Sequence, residues 1–205
     1  MKQWRCKVCG YIGVGETPPD VCPVCGAGAA AFEEVAGADQ AGPEQHHQLQ
    51  QVLFRIPCGL FMVSAEFDGK PNGMINNTVF QITDAPVQLL LGMDKQHLTT
   101  ELIQKSQSFA VHFLNPDQLE LVKRFGFQSG RELDKFIGLD WRPGETGAPL
   151  LATAEGYLEC RIRADKTIDA GTHLVFLGEV VKAILKEQVP VLTYQEYRQR
   201  KQELW

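Results

Sequence analysis

Cys6-Lys7-Val8-Cys9-Gly10, together with its second copy Cys22-Pro23-Val24-Cys25-Gly26, decides how the first part of the chain folds. In each copy two residues separate the cysteines, so two thiolates from one tight turn can reach a single tetrahedral metal ion. The glycine after each pair permits a backbone conformation that turns amide N–H groups toward the sulfur atoms. Such hydrogen bonds stabilise the thiolate charge and adjust the reduction potential of the metal. The two copies together predict a four-cysteine metal site.

Four thiolates in a tetrahedron suit zinc or iron, and the neighbouring residues favour iron. Trp4, Tyr11, Pro18-Pro19 and Phe32-Glu33 surround the cysteine pairs in a pattern that resembles rubredoxin. The short gap between the pairs is similar to that of the rubredoxin-like domain of rubrerythrin. The resemblance implies a one-electron iron centre with four ligands: Cys6, Cys9, Cys22 and Cys25. The alternative is a zinc ribbon whose metal only holds the fold, and zinc can also replace iron in recombinant protein.

The composition is that of a soluble globular protein. The chain has 205 residues, of which 44% are hydrophobic and 22% charged. A net charge of -5 gives no electrostatic reason to expect a nucleic acid partner. No apolar stretch approaches the roughly 20 residues of a membrane helix, and the N-terminus enters the first motif without an apolar signal region. We therefore expect a cytoplasmic protein whose cysteines are metal ligands or thiols, not disulfides.

The pattern along the chain divides it into three parts. Residues 1–35 hold the four motif cysteines and are too short to bury a sufficient core without a staple. Residues 36–48 carry no large apolar side chain and are predicted to be a linker. Residues 49–205 form the second domain.

The second domain shows many strands and few helices, which favours a barrel or sandwich. Helical spacing begins at Leu49 and includes Ile56, and Asp68-Gly69 is typical of a hairpin turn. Strands are predicted at 60–67, 87–91, 109–114, 156–163 and 172–185, and helices at 98–105, 116–125 and 193–203. In the second of these helices Asn115 is the expected N-cap and Gly126 the expected stop.

The second domain contains no G-x-G-x-x-G motif and no P-loop. Seven short segments of this domain carry a recognisable pattern: Pro57-Cys58-Gly59-Leu60, Asp68–Met74, Asp94–Thr99, Phe109-Ala110-Val111, Asp134-Lys135-Phe136, Leu158-Glu159-Cys160 and Thr172–Val180. In their order and spacing these segments resemble the flavin reductase-like family with the FMN-binding split barrel, in the branch of flavoredoxins and high-molecular-weight rubredoxins. The resemblance implies a mainly β protein, with a small rubredoxin-like metal-binding domain followed by an FMN-binding split β-barrel. It also implies a homodimer formed through the flavin domain.

Two groups of polar residues are candidate flavin ligands. The side chains of Asn76, Asn77, Thr78 and Gln81 can bond the ribityl chain and the polar edge of the flavin ring. Lys95, His97, Thr99 and Thr100 lie before or at a predicted helix start, which is a ready phosphate site and favours FMN over FAD. The resemblance also implies that His173 lies near the flavin. The structural alternatives are turn residues at Asn76 and Asn77, a surface lysine at Lys95 and a structural histidine at His173.

The two domains together predict an electron-transfer flavoprotein. Its donor is expected to be NAD(P)H or an NAD(P)H:rubredoxin oxidoreductase, and its cofactors FMN and a rubredoxin-type iron. The resemblance implies a redox protein as acceptor, such as a flavodiiron-type reductase of oxygen, peroxide or nitric oxide. One alternative is an NAD(P)H:flavin reductase that supplies reduced FMN to a partner oxygenase, with a structural zinc ribbon. Another is a non-enzymatic carrier that a separate oxidoreductase reduces.

Overall fold

The computed structural model describes residues 2–7, 11–23, 26–35, 48–49, 51–186 and 190–204. The chain separates into two compact units, the first formed by Met1–Pro57 with Arg198–Trp205 and the second by Cys58–Tyr197. The sequence prediction places residues 49–57 and 198–205 in the second domain, whereas the compact units group them with the first. The predicted linker lies outside the described residues except for its last position. None of the helices in the described ranges combines the length and hydrophobicity needed to cross a membrane.

The first unit contains a three-stranded antiparallel sheet in the order β2-β1-β3. Its strands are β1 (Lys2–Cys6), β2 (Ile12–Gly15) and β3 (Phe32–Val35). These strands are absent from the sequence prediction, because each is too short to show a period of two. A single 3₁₀ turn, Ala29–Ala31, leads into β3.

The second unit is built on an eight-stranded antiparallel sheet with the path β5-β4-β8-β11-β13-β7-β6, to which β12 adds beside β13. The strands of this sheet are β4 (Phe61–Phe67), β5 (Lys70–Asn76), β6 (Val79–Asp84), β7 (Val87–Asp94), β8 (Ser108–Phe113), β11 (Gly156–Ile162), β12 (Ile168–Asp169) and β13 (His173–Leu185). A separate pair consists of β9 (Trp141–Pro143) and β10 (Pro149–Leu151). Helices α1 (Leu98–Ser106) and α2 (Leu119–Phe127) belong to the second unit. Helix α3 (Tyr194–Arg200) begins in the second unit and ends among the residues grouped with the first, where the 3₁₀ turn Lys201–Leu204 follows it.

The mainly β fold confirms the predicted class, and most long elements lie where the periodicity puts them. The sequence prediction is wrong at the start of α2, which begins at Leu119 and not after Asn115. The Asn115 side chain accepts a hydrogen bond from the Asp117 amide, and its carbonyl accepts one from the Gln118 amide, so a separate turn precedes the helix. The stop at Gly126 is also wrong, since the helix includes this glycine.

The core of the second unit lies on the inner faces of the long strands. Leu91, Met93, Phe109, Val111 and Phe176 are among its fully buried members. They alternate along β7, β8 and β13 with residues on the opposite face, as a pleated strand requires. This core fixes the end of β7 beside the start of β13, where three of the candidate flavin residues lie.

Candidate functional site

The first unit holds two buried cysteines at the bases of two short loops. Cys6 is 0% and Cys22 1% exposed. The Cys6 amide donates to the Tyr11 carbonyl at 2.7 Å, and the Cys22 amide donates to the Ala27 carbonyl at 2.7 Å. Gly26 has a φ of 79°, the left-handed conformation expected after a cysteine pair. This backbone fits loops that present thiolates to one metal ion, while Cys9 and Cys25 lie outside the described residues.

The aromatic residues predicted around the cysteines pack as a small shell. The rings of Tyr11 and Phe32 meet edge to face, with centroids 6.4 Å apart. The indole of Trp4 donates to the carbonyl of Gly15 at 3.2 Å. The Lys201 ammonium donates a hydrogen bond to the carbonyl of Pro23, which lies between Cys22 and Cys25 in the sequence. The C-terminal residues of the unit therefore supply a positive charge close to the second cysteine loop.

The end of β7 and the start of β13 bring three candidate flavin residues into one region. Asp94 pairs with His173 in the sheet, and the Lys95 amide donates to the Thr172 carbonyl at 3.1 Å. His97 occupies the N-cap position of α1 with an extended backbone. The structure therefore places Lys95 beside the start of β13, where His173 lies, and His97 follows two residues later at the start of α1.

A carboxylate that sequence reasoning missed completes this region. Asp169 accepts a hydrogen bond from the Lys95 ammonium at 2.5 Å and another from the Gly171 amide at 2.9 Å. The Lys95 hydrogen bond holds the pKa of the Asp169 carboxyl below its usual value. The only sequence signal is the turn Asp169-Ala170-Gly171 before β13, which does not reveal its partner. The hydroxyl of Thr172 lies 2.8 Å from Nδ1 of His173 at the exposed start of the strand.

The asparagine group has a strong structural component. The Asn76 amide donates to the Gly92 carbonyl at 2.8 Å, and its oxygen accepts the Thr78 amide at 2.5 Å, so this buried side chain links β5 to β7. Thr78 is exposed and covers Gly92, whose amide donates to the Thr78 carbonyl at 3.0 Å. Asn77 donates a long contact of 3.8 Å to the sulfur of Cys58. Of these three neighbouring residues, Asn76 is buried, Asn77 is half-buried and Thr78 is exposed.

Gln81 and Thr99 form their hydrogen bonds away from Lys95 and His173. Gln81 lies on the edge strand β6, where its amide donates to Asp84 at 2.7 Å. Thr99 is 1% exposed, and its hydroxyl accepts a hydrogen bond from the side chain of Asn72 at 3.0 Å. The hydroxyl of Thr100, in contrast, is a donor, to the Asp94 carbonyl at 2.6 Å. Both threonine hydroxyls therefore fix the start of α1 to the sheet.

A buried lysine is a second feature that the sequence does not disclose. The Lys135 ammonium donates to the carbonyls of Gly73 at 2.8 Å and Phe125 at 3.1 Å. Burial lowers the pKa of Lys135 to about 8. Lys135 belongs to the Asp134-Lys135-Phe136 segment, and its contacts show that the segment fastens α2 to β5.

Comparison with known families identifies the class of protein. Residues 53–203 match the Flavin reductase like domain, and residues 4–33 match the rubredoxin-like domain of rubrerythrin. The chain therefore belongs to the flavin reductase-like family and carries an N-terminal rubredoxin-like domain. It is an oxidoreductase whose larger domain has a flavin-binding fold, and its rubredoxin-like domain implies an iron site.

Individual relatives and solved structures are similar over about three quarters of the chain. The high molecular weight rubredoxin of Moorella thermoacetica is 40% identical over 74% of this chain and 66% of its own length. A ferric-chelate reductase (NAD(P)H) of Archaeoglobus fulgidus is 36% identical over 72% of this chain and 87% of its own. Among solved structures, a Streptomyces globisporus NADH:FAD oxidoreductase in complex with NAD and FAD fragments superimposes with a TM-score of 0.65. It is 29% identical and covers 76% of this chain and 92% of its own.

Proposed function

We propose that the protein passes electrons from NAD(P)H, or from an NAD(P)H:rubredoxin oxidoreductase, through FMN and a rubredoxin-type iron to a protein acceptor. The acceptor that fits is a flavodiiron-type reductase of oxygen, peroxide or nitric oxide. The observation that carries the proposal is the presence, in one chain, of the flavin reductase-like domain and of two buried cysteines in metal-type loops. The names of the Moorella and Archaeoglobus relatives, a rubredoxin and an NAD(P)H-dependent reductase, support a role in electron transfer.

The two cofactors supply complementary chemistry, because FMN takes the two electrons of a nicotinamide hydride and releases them singly, whereas iron carries one. The residues of the chain have to position these groups. Lys95 and the N-terminal amides of α1 are proposed to hold the FMN phosphate, and His173 to line the same region. Asp169 holds the Lys95 side chain in place until the phosphate competes for it.

The FMN phosphate site is tested with Lys95→Ala. We expect FMN affinity to fall at least tenfold, because a charge-assisted hydrogen bond is lost, whereas riboflavin affinity stays unchanged. Lys105→Ala, at the last turn of the same helix, is the control and should alter neither. Equal losses for FMN and riboflavin would show that Lys95 does not contact the phosphate.

Thr99→Ala separates positioning from phosphate binding. The Thr99 hydroxyl accepts from Asn72 and is buried, so the substitution should loosen the start of α1 and weaken FMN and riboflavin alike. A loss confined to FMN would instead assign the hydroxyl to the phosphate.

Electron transfer through the metal is tested with Cys22→Ser, with Cys58→Ser as the matched control outside the motif. The Cys22 variant should still bind flavin and accept electrons from NADH or NADPH, but it should fail to reduce a protein acceptor. Anaerobic stopped flow follows flavin and iron at separate wavelengths. Acceptor reduction at the wild-type rate by Cys22→Ser would refute transfer through this centre.

A second candidate function is favoured by relatives named as reductase components of flavin-dependent monooxygenases. In that function the chain releases reduced FMN to a partner oxygenase, and the four cysteines hold a structural zinc. Metal analysis on protein from iron-replete cells, with rapid gel filtration after reduction, separates the two. Zinc with free reduced flavin supports the second function, and iron with retained flavin supports the first. Light scattering tests the homodimer in both cases.

A further inference from the structure

A cavity of about 310 Å³ lies in the second unit, at the end of β13 opposite His173. Its lining comes from β9, β10, β11 and the end of β13, and consists of Arg142, Leu150, Leu151, Ala152, Tyr157, Ile184 and Lys186. This volume is at the lower end of the range for small-molecule sites. The proposed flavin residues are at the other end of a thirteen-residue strand, so the cavity has no part in the proposed function.

The polar groups of the cavity are positive or neutral. The Arg142 guanidinium donates to the Tyr157 hydroxyl at 3.3 Å, and the Lys186 ammonium donates to the carbonyl of Ala152. Neither cation forms an ion pair with a carboxylate of the described residues, and no acidic residue of that part of the chain lines the cavity. Lys182, two residues before Ile184, is instead neutralised by Glu145.

The charge of Lys186 also affects His112, a buried residue that contacts the lining of the cavity. The side chain of His112 is completely buried and accepts the amide hydrogen of Leu151, a wall residue. The positive charge of Lys186 contributes to lowering the pKa of His112, after the larger effect of burial. A site with two cations and no counter-charge attracts an anion from solution.

The remaining wall is apolar. Leu150 and Leu151 are almost fully buried, and Ile184 is 40% exposed. Bare inorganic phosphate would leave the exposed part of Ile184 uncovered, whereas an organic anion would cover it and gain from its burial.

We propose that this cavity binds a small organic anion, with its phosphate or carboxylate between Arg142 and Lys186 and its apolar body against Ile184. Tyr157 holds the Arg142 guanidinium in position, and its hydroxyl remains able to donate to the same anionic head.

The test is isothermal titration of the flavin-loaded protein with phenyl phosphate, beside inorganic phosphate and phenol. Phenyl phosphate should bind saturably and more weakly as salt is raised, and each fragment alone should bind at least tenfold more weakly. The double variant Arg142→Gln/Lys186→Gln should lose at least tenfold in phenyl phosphate affinity. Lys182→Gln/Lys166→Gln removes the same net charge outside the lining and should change it less than twofold. Equal losses in the two double variants would overturn the proposal.

A second measurement needs no variant. In protein with labelled isoleucine methyl groups, phenyl phosphate should shift the NMR signal of Ile184 and leave that of Ile103, in the core, unchanged. A saturable shift at Ile184 supports the site. No shift there at millimolar phenyl phosphate, or larger shifts at distant methyl groups, would contradict it.

Discussion

The two units of this chain are stabilised in different ways. In the second, apolar residues such as Met93, Phe109 and Phe176 form one continuous buried cluster across the sheet. In the described part of the first, Phe32 is the large apolar side chain that is buried, and the other buried apolar positions are Cys6 and Cys22. A sheet of three short strands cannot bury enough surface to offset its conformational entropy. Metal ligation therefore replaces in the first unit what hydrophobic packing provides in the second.

The largest expected effect comes from removing the metal of the first unit. A chelator, or Cys22→Ser, should unfold β1, β2 and β3, because ligation in small metal domains contributes about 10 kcal/mol or more to folding. Hydrogen exchange should become fast in these strands and stay slow in β8 and β11. Persistent protection of β1 in metal-free protein would contradict the claim that metal ligation stabilises the first unit.

A core truncation should show the reverse pattern. Phe109 is fully buried, and its ring packs directly against Gly178. Phe109→Ala should lower the free energy of unfolding of the second unit by about 3–5 kcal/mol, measured by urea denaturation. The visible spectrum of the metal site should not change. Phe67→Ala, at a half-exposed position on β4, is the control. It should lower the free energy of unfolding by less than half as much as Phe109→Ala.

The second unit should also respond to acid through His112. Burial lowers the pKa of this imidazole to about 4 from an ordinary 6.5. Between these values the unfolded chain binds the proton and the folded chain does not, so stability falls as the pH drops from 6.5 to 4, by roughly 3 kcal/mol. Urea denaturation across this range measures the loss, and His112→Gln should flatten it. An equally steep loss in the variant would assign the effect to another group.

The smallest effect concerns the charge near the second cysteine loop. Lys201→Met removes an ammonium that contacts the carbonyl of Pro23, and a nearby positive charge favours the reduced, more negative iron site. We expect the reduction potential of the iron to fall, with the effect diminishing at high salt because the site is exposed. Lys2→Met is the control, because Lys2 lies at the far end of β1 from Cys6 and its ammonium contacts Glu34, not a cysteine loop. An equal change in both variants would exclude a specific role for Lys201.

Features of this protein that depend on local pattern could be predicted from the amino-acid sequence. The spacing of the cysteine pairs predicts the loops at Cys6 and Cys22, and Gly26 has the positive φ expected there. Alternating or continuous apolar runs predict β4, β7, β8, β11 and β13, because the residues of a buried strand that face the core are apolar. The family segments predict the class of protein, which the comparisons confirm.

Contacts between polar side chains depend on the folded arrangement of distant strands and could not be predicted from the sequence. Asp169 reaches Lys95 across 74 positions of sequence, and Asn72 reaches Thr99 across 27. The strand β5 was hidden because Asn72-Gly73 has the composition of a turn, although pairing with β4 holds it extended. A buried or crowded polar group must find a partner, and which partner it finds depends on the pairing of distant strands. The residue type alone predicts that need, and the fold supplies the partner.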